Sequence, residues 1–194
     1  MKSKCLILTA LVLAVTSMSF AQSKTKVKAN GIRSIDFFNY SYRTSVCTDT
    51  PETVKLRNGK FKVDGDNVIV HINKGEVVYG DVNKDGKEDA VIQLRCTTGT
   101  SFRSFEIQVF TFQTGRANLL AQFGMGEVSA DYEKNYPDST MCCAGGAPKI
   151  RNGHLIVEAL TDGMFLNPDN TTTFNYKFSD GGFVLSGKPT KKAR

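Results

Sequence analysis

Apolar and polar residues alternate along this chain in short runs, and turn-forming pairs separate the runs. Residues 54–57 and 60–63 flank Asn58-Gly59. Asn and Gly accept the positive φ of a type I′ turn, so this stretch predicts a hairpin. In that register Leu56 faces Phe61 and Val54 faces Val63, while Lys55, Arg57, Lys60 and Lys62 share the other side. Further hairpins are predicted for 68–72 with 77–79 about Lys74-Gly75, and for 105–112 with 119–123 about Thr114-Gly115. Two more join 149–151 to 154–160 about Asn152-Gly153, and 173–178 to 183–186 about Asp180-Gly181-Gly182. Residues 35–42 add a strand near the start. No convincing helical period is visible. The pattern predicts an all-β (or β-rich α+β) fold, an antiparallel meander of hairpins with about 8–10 strands. Residues 124–147, with Pro137 and a cysteine pair, break the alternation and read as one long loop.

The first residues follow a different pattern. Lys2 and Lys4 precede the apolar run 6–15, and Ser19-Phe20-Ala21 follows it. A charged start, a short apolar core and small residues at its end predict a secretory signal peptide at 1–21. The run is shorter than the about 20 residues a membrane span needs, so no span is expected after cleavage. The chain then divides into a flexible basic segment at 22–31, a single β-rich domain at 32–187 and a basic tail at 188–194. Lys188, Lys191, Lys192 and Arg194 make that tail a solvated, mobile one. The expected location is exported, periplasmic or extracellular.

Loss of the leader changes two counts. Removing Lys2 and Lys4 lowers the formal net charge of +6 by two. The remaining excess is a weak argument for a polyanionic partner, and no nucleic-acid motif accompanies it. Removing Cys5 turns five cysteines into four: Cys47, Cys96, Cys142 and Cys143. An even number in an oxidising compartment predicts disulfides, with three connectivities open. A Cys47–Cys96 bond would close a long loop, and a Cys142–Cys143 bond would close almost none. Two long-range bonds to the adjacent pair also fit.

The candidate chemistry lies in one acidic loop, Asp81-Val82-Asn83-Lys84-Asp85-Gly86-Lys87-Glu88-Asp89. Asp81, Asn83 and Asp85 place oxygen donors at alternate positions, and Gly86 permits a sharp turn. The Lys87 carbonyl and the Asp89 carboxylate complete an oxygen set suited to calcium. Position twelve is Ile92 rather than Glu, and a strand follows instead of a helix, so this is no EF-hand.

Tyr79-Gly80, the 81–89 loop and the strand pair at 90–95 and 105–112 resemble the FG-GAP repeat of integrin-like β-propellers. One copy is present, whereas a propeller needs about 4–8 blades, so a full propeller is excluded. More widely, the chain is similar to a family of small exported bacterial β-rich proteins. The matching pieces are Ile35-Asp36-Phe37-Phe38-Asn39-Tyr40, Leu56-Arg57-Asn58-Gly59-Lys60, the acidic loop, Cys142-Cys143 and Phe183-Val184-Leu185-Ser186-Gly187-Lys188-Pro189. The resemblance implies a secreted β-rich protein and brings no catalytic residues.

Catalytic material is scarce. The two histidines, His71 and His154, read as packing or surface residues, and no nucleophile elbow or zinc-protease motif is present. Three function classes remain. The first is a non-catalytic exported structural or interaction protein with calcium bracing the acidic loop. The second is a binding module for a cell-envelope polymer or protein, using Lys55, Arg57, Lys60 and Lys62 as an anion patch or the 124–147 loop. The third is a glycoside hydrolase drawing a carboxylate pair from Glu127, Asp131, Glu133 and Asp138.

Overall fold

Two-residue turns with both φ values positive set much of the chain path. Asn58-Gly59, Thr114-Gly115, Asn152-Gly153 and Asp180-Gly181 all adopt that conformation, which suits the right-handed twist of the flanking strands. The computed structural model describes residues 31–48, 50–63, 67–99, 101–164 and 167–194. The leader expected at 1–21, and all but Gly31 of the basic segment expected at 22–31, lie outside the described residues.

Strands make up 57% of the described residues and one helix accompanies them there, so the β-rich fold class is as expected, in antiparallel sheets with no closed barrel or propeller among the described residues. Two 3-10 turns, Ile32–Ser34 and Phe37–Asn39, lead into β1 (Ser41–Thr44), which pairs with β2 (Glu52–Lys55). The first large sheet contains β3 (Lys60–Lys62), β4 (Val68–His71), β5 (Val77–Gly80), β6 (Asp89–Thr98), β7 (Ser101–Gln113) and β8 (Arg116–Gly124). Its order is β3-β4-β6-β7-β8, with β5 also on β6. Helix α1 (Met125–Asn135) follows. The second large sheet contains β9 (Met141–Ala144), β10 (Lys149–Arg151), β11 (His154–Met164), β12 (Asn167–Ser179), β13 (Gly182–Leu185) and β14 (Thr190–Ala193). Its order is β10-β11-β12-β13, with β9 on β11 and β14 on β12. Many of the fourteen strands among the described residues span only three or four residues, which is why the alternation predicts fewer.

Two predicted hairpins are rearranged. The Asn58-Gly59 turn forms, but only Arg57 and Lys60 pair across it. Beyond that bridge β2 turns to β1 and β3 turns to β4, so the arms enter different sheets. Gly59 is fixed by a close approach: a Cβ there would meet Phe38 Cδ1 at 2.7 Å and the Ile72 carbonyl at 3.1 Å. Likewise β4 and β5 do not pair with each other. Both lie along the same edge of β6, at Arg95 to Thr98 and at Asp89 to Ile92 respectively.

Strand β6 is the centre of the packing. Its alternate residues Ala90, Ile92, Leu94 and Cys96 enter a core with Ile32, Phe37, Tyr42, Val54, Leu56 and Phe110. Val91 points the other way, into a core with Ile107 and Val109, Leu155 and Val157 of β11, and Phe174 and Tyr176 of β12. The layers are therefore the N-terminal turns with β1–β2, the first sheet, and the second sheet with α1. Burial on both faces explains the unbroken apolar run Ala90-Val91-Ile92 that follows Asp89 in β6.

Residues 124–147, expected as a loop, instead supply α1 and β9. The helix buries Val128 and Tyr132, one turn apart, against the second core. Gly124 and Gly126 interrupt its beginning, and a single apolar pair over 11 residues carries little periodic signal. The tail expected at 188–194 also differs, because β14 pairs with β12. Lys191 Nζ donates to Asp162 Oδ2 at 2.9 Å and to Ser139 Oγ at 3.3 Å, and it lies 4.2 Å from the Tyr136 ring centroid. The basic residue is thus consumed by packing.

This clamp yields a pH prediction. Burial acts to raise the Asp162 carboxyl, but hydrogen bonds from Lys191, Tyr132 and Asn170 outweigh it and hold the group below its usual value. A depressed carboxyl contributes stability that is whole above the unfolded value, about 3.9, and is lost as pH falls through the folded value. Urea melts at successive pH values should therefore show a steeper acid limb for the natural protein than for Asp162→Asn. Asn tolerates the positive φ of 57° at this position. Parallel acid limbs would contradict the clamp.

Candidate functional site

The acidic loop joins β5 to β6 and is wound by its own side chains. Asp81 Oδ1 accepts from the Asp85 N–H at 3.1 Å, and Oδ2 accepts from the Gly86 N–H at 2.9 Å. Asn83 Oδ1 also accepts from the Asp85 N–H, at 3.0 Å, and Asp85 Oδ1 accepts from the Lys87 N–H at 2.9 Å. Such bonds are what short acidic side chains offer a turn. Lys84 and Gly86 take positive φ, 62° and 84°. The predicted donors are therefore brought to one turn, with Asp81, Asn83 and Asp85 aimed at the same backbone segment.

Asp89 closes the loop differently. It is wholly buried at the start of β6, and its Oδ2 accepts from the Val82 N–H at 3.1 Å. Its Oδ1 is buried and has no hydrogen-bond partner by distance and angle among the described residues. Burial pushes the carboxyl up, against the lowering influence of Val82, Thr111 and Asn83, and the nearby Asp85 charge adds to the rise. A buried, under-satisfied carboxylate near another acidic charge is costly unless it takes a proton or a cation accompanies it. Among the described residues no three His, Cys, Asp or Glu side chains close up as a metal shell. An ion in this loop would need the Asn83 amide and the Lys87 carbonyl as well as the carboxylates.

The loop is fastened at both shoulders by contacts that its own sequence does not reveal. Glu88 receives two bonds from Arg33, 2.6 and 2.8 Å long, and the Arg33 guanidinium lies 4.4 Å from the Tyr79 ring centroid. Arg33 holds the Glu88 carboxyl below its usual value. On the other shoulder Lys84 lies over the Asn152-Gly153 turn, so that a Cβ on Gly153 would come within 2.9 Å of Lys84 Cε. Ile150 of β10 packs under Gly80, where an added Cβ would meet its Cγ2 at 3.0 Å. The loop thus stands where the first sheet meets the second.

The chain matches no known family model, no curated protein and no solved structure. Its functional reading therefore rests on its own residues.

The remaining predicted sites are distributed. Cys47 and Cys96 are disulfide-bonded, with Cα atoms 5.3 Å apart, and Cys142 and Cys143 are bonded to each other. The alternative of two long-range bonds to the adjacent pair is excluded. Cys142 is also the extra residue of a bulge, since Leu160 pairs with Cys143 and Thr161 with Met141. Lys55, Arg57, Lys60 and Lys62 are all exposed. The four carboxylates considered for glycoside hydrolysis have separate partners in three cases. Glu127 accepts from the Gly124 N–H, Asp131 from the Tyr176 hydroxyl, and Glu133 from the Ser129 hydroxyl. His71 and His154 lie on different sheets, and His154 Nδ1 is 2.9 Å from Asn175 Oδ1.

Sequence reasoning also missed a buried polar joint. Glu76, 3% exposed, pairs with Arg95, whose Nη2 reaches the Gly146 carbonyl at 3.3 Å. The Gln93 amide joins them when its nitrogen is turned toward Gly146, at 3.0 Å. Gln93 and Arg95, two positions apart among the apolar residues of β6, are the sequence signal that points to it.

Proposed function

We propose that this chain is an exported, non-catalytic structural or interaction protein whose 81–89 loop takes a calcium ion and braces the joint between the two sheets. The observation that carries the reading is Asp89, a fully buried carboxylate whose Oδ1 makes no close hydrogen bond and which feels the nearby Asp85 charge. Asp81, Asn83, Asp85 and Asp89 would supply side-chain oxygens, and Lys87 its carbonyl. The ion would supply positive charge and a fixed oxygen shell; nothing in the reading asks it to activate a substrate. Export is supported by the leader-like pattern at 1–21 and by disulfide bonding, which persists in oxidising compartments.

Extracellular-type calcium sites bind at about 10⁻⁴–10⁻³ M. At about 1 mM calcium and the tighter limit, linkage adds about 1.4 kcal/mol, or about 3–6 °C in melting temperature. Thermal melts with calcium chloride and with a chelator should differ by that amount in the natural chain and not in Asp85→Ala. Equal melts of the natural chain under both conditions would sink the calcium reading.

A second reading keeps the binding-module class. Arg57 and Lys60 stand directly opposite each other across the Asn58-Gly59 turn, and Lys55 and Lys62 are exposed nearby in sequence. Like charges so placed are mildly destabilising, and an anionic envelope polymer would relieve that repulsion.

A further inference from the structure

A cavity of about 220 Å³ lies away from the acidic loop, where four segments meet. Ser45 and Val46 after β1 form one wall, and Ser104, Phe105 and Glu106 of β7 form another. Gln122 and Phe123 of β8 and the first turn of α1, from Gly124 to Glu127, complete it.

The charge of this cleft is one-sided. Glu106 is 5% exposed, and its bonded partners are all neutral. Its Oε1 accepts from Gln108 Nε2 at 2.6 Å, and its Oε2 from the Ser45 N–H at 3.3 Å and the Ser45 hydroxyl at 3.5 Å. Gln108 Nε2 is itself fixed by the Arg43 carbonyl at 2.8 Å. Glu127 brings a second carboxylate, bonded to the Gly124 N–H at 2.9 Å. Among the described residues no Lys, Arg or His lines the cavity. The contrast with Glu76 is informative: that carboxylate is equally buried but has Arg95 beside it. Buried charges are ordinarily paired, and Glu106 is paired with nothing cationic among the described residues.

We propose that the cleft is a binding site for a primary alkylammonium group, with Glu106 as its counter-ion. The cavity is much larger than a bare metal ion, and its mainly polar lining combines the carboxylates with hydroxyl and amide groups. A compact –NH3+ donates three hydrogen bonds, which Glu106, Ser45 and Gln122 can accept. The same chemistry is carried by a free alkylamine and by a lysine side chain, so both belong in the test. Because the acidic loop plays no part in it, this site stands or falls independently of calcium binding there.

The test is an NMR titration of the full oxidised protein with n-butylammonium chloride, Nα-acetyl-lysine methylamide, 1-butanol and calcium chloride. Butylammonium should shift the amides of Ser45, Glu106 and Gly126 saturably, and butanol should not. Charge-assisted hydrogen bonds are worth about 10–100-fold in affinity, and Glu106→Gln should weaken binding by that factor. Tighter binding of the lysine derivative would assign the site to peptide lysines; tighter binding of butylammonium would assign it to small amines. Glu127→Gln, which retains an oxygen for the Gly124 N–H, should weaken binding several-fold and serves if Glu106→Gln fails to fold. The proposal is overturned if butanol matches butylammonium, if both variants bind unchanged, or if calcium alone shifts these amides.

Discussion

Replacing Cys47 and Cys96 together with alanine is expected to lower the stability of the oxidised protein by about 4 kcal/mol. For a domain of this size that corresponds to about 8–16 °C in melting temperature. The bond spans 49 positions, so its loss returns a long loop of conformational freedom to the unfolded chain. It ties the segment after β1 to β6 at the point where the β6–β7 register shifts, between Cys96 and Thr97. Cys96 is fully buried, so the lost sulfur adds a packing term in the same direction. The matched control is the Cys142→Ala, Cys143→Ala pair. That bond joins neighbours and constrains almost nothing in the unfolded chain, so its removal should cost far less. Urea denaturation of both double variants checks this directly; equal losses would refute the loop-closure account.

Truncation of Tyr132 to alanine should cost about 3–5 kcal/mol, the usual range for a large buried aromatic. Tyr132 is fully buried, packs against Phe174 with ring centroids 6.2 Å apart, and donates from its hydroxyl to Asp162 Oδ1 at 2.8 Å. It therefore links α1 to β11 and β12 at once. Tyr132→Phe should lose only the hydrogen bond, about 1.5–3 kcal/mol because the acceptor is charged. Chemical denaturation separates the two variants. Hydrogen exchange over 125–135 adds a local readout: the alanine variant should lose protection across the helix, and the phenylalanine variant should keep most of it.

The sequence disclosed the features that are encoded locally. Thr114-Gly115, Asn152-Gly153 and Asp180-Gly181 each marked a real hairpin, because positive φ at two successive residues is a property of those residues themselves. The donor spacing of the acidic loop was visible for the same reason. What escaped depends on distant partners. Nothing near residues 68–80 says that β4 and β5 share an edge of β6 instead of pairing together. Glu88 read as another loop acid until Arg33, 55 positions away, turned it into an anchor. Helix α1 went unseen because Val128 and Tyr132 declare themselves only against the second sheet. Glu106 sits at a polar position of an alternating strand, which is the pattern of a solvated face, and the segments that cover it come from elsewhere in the chain.

The two-sided burial of β6 has a consequence for how the molecule comes apart. A strand that gives Ala90, Ile92, Leu94 and Cys96 to one core and Val91 to the other denies either core an independent melting point. Withdrawing the N-terminal layer would expose Ile92 and Leu94, and withdrawing the second sheet would expose Val91. In both cases the same strand loses the support that keeps it extended. The three layers therefore behave as one cooperative unit, in which damage at either surface is felt at the other.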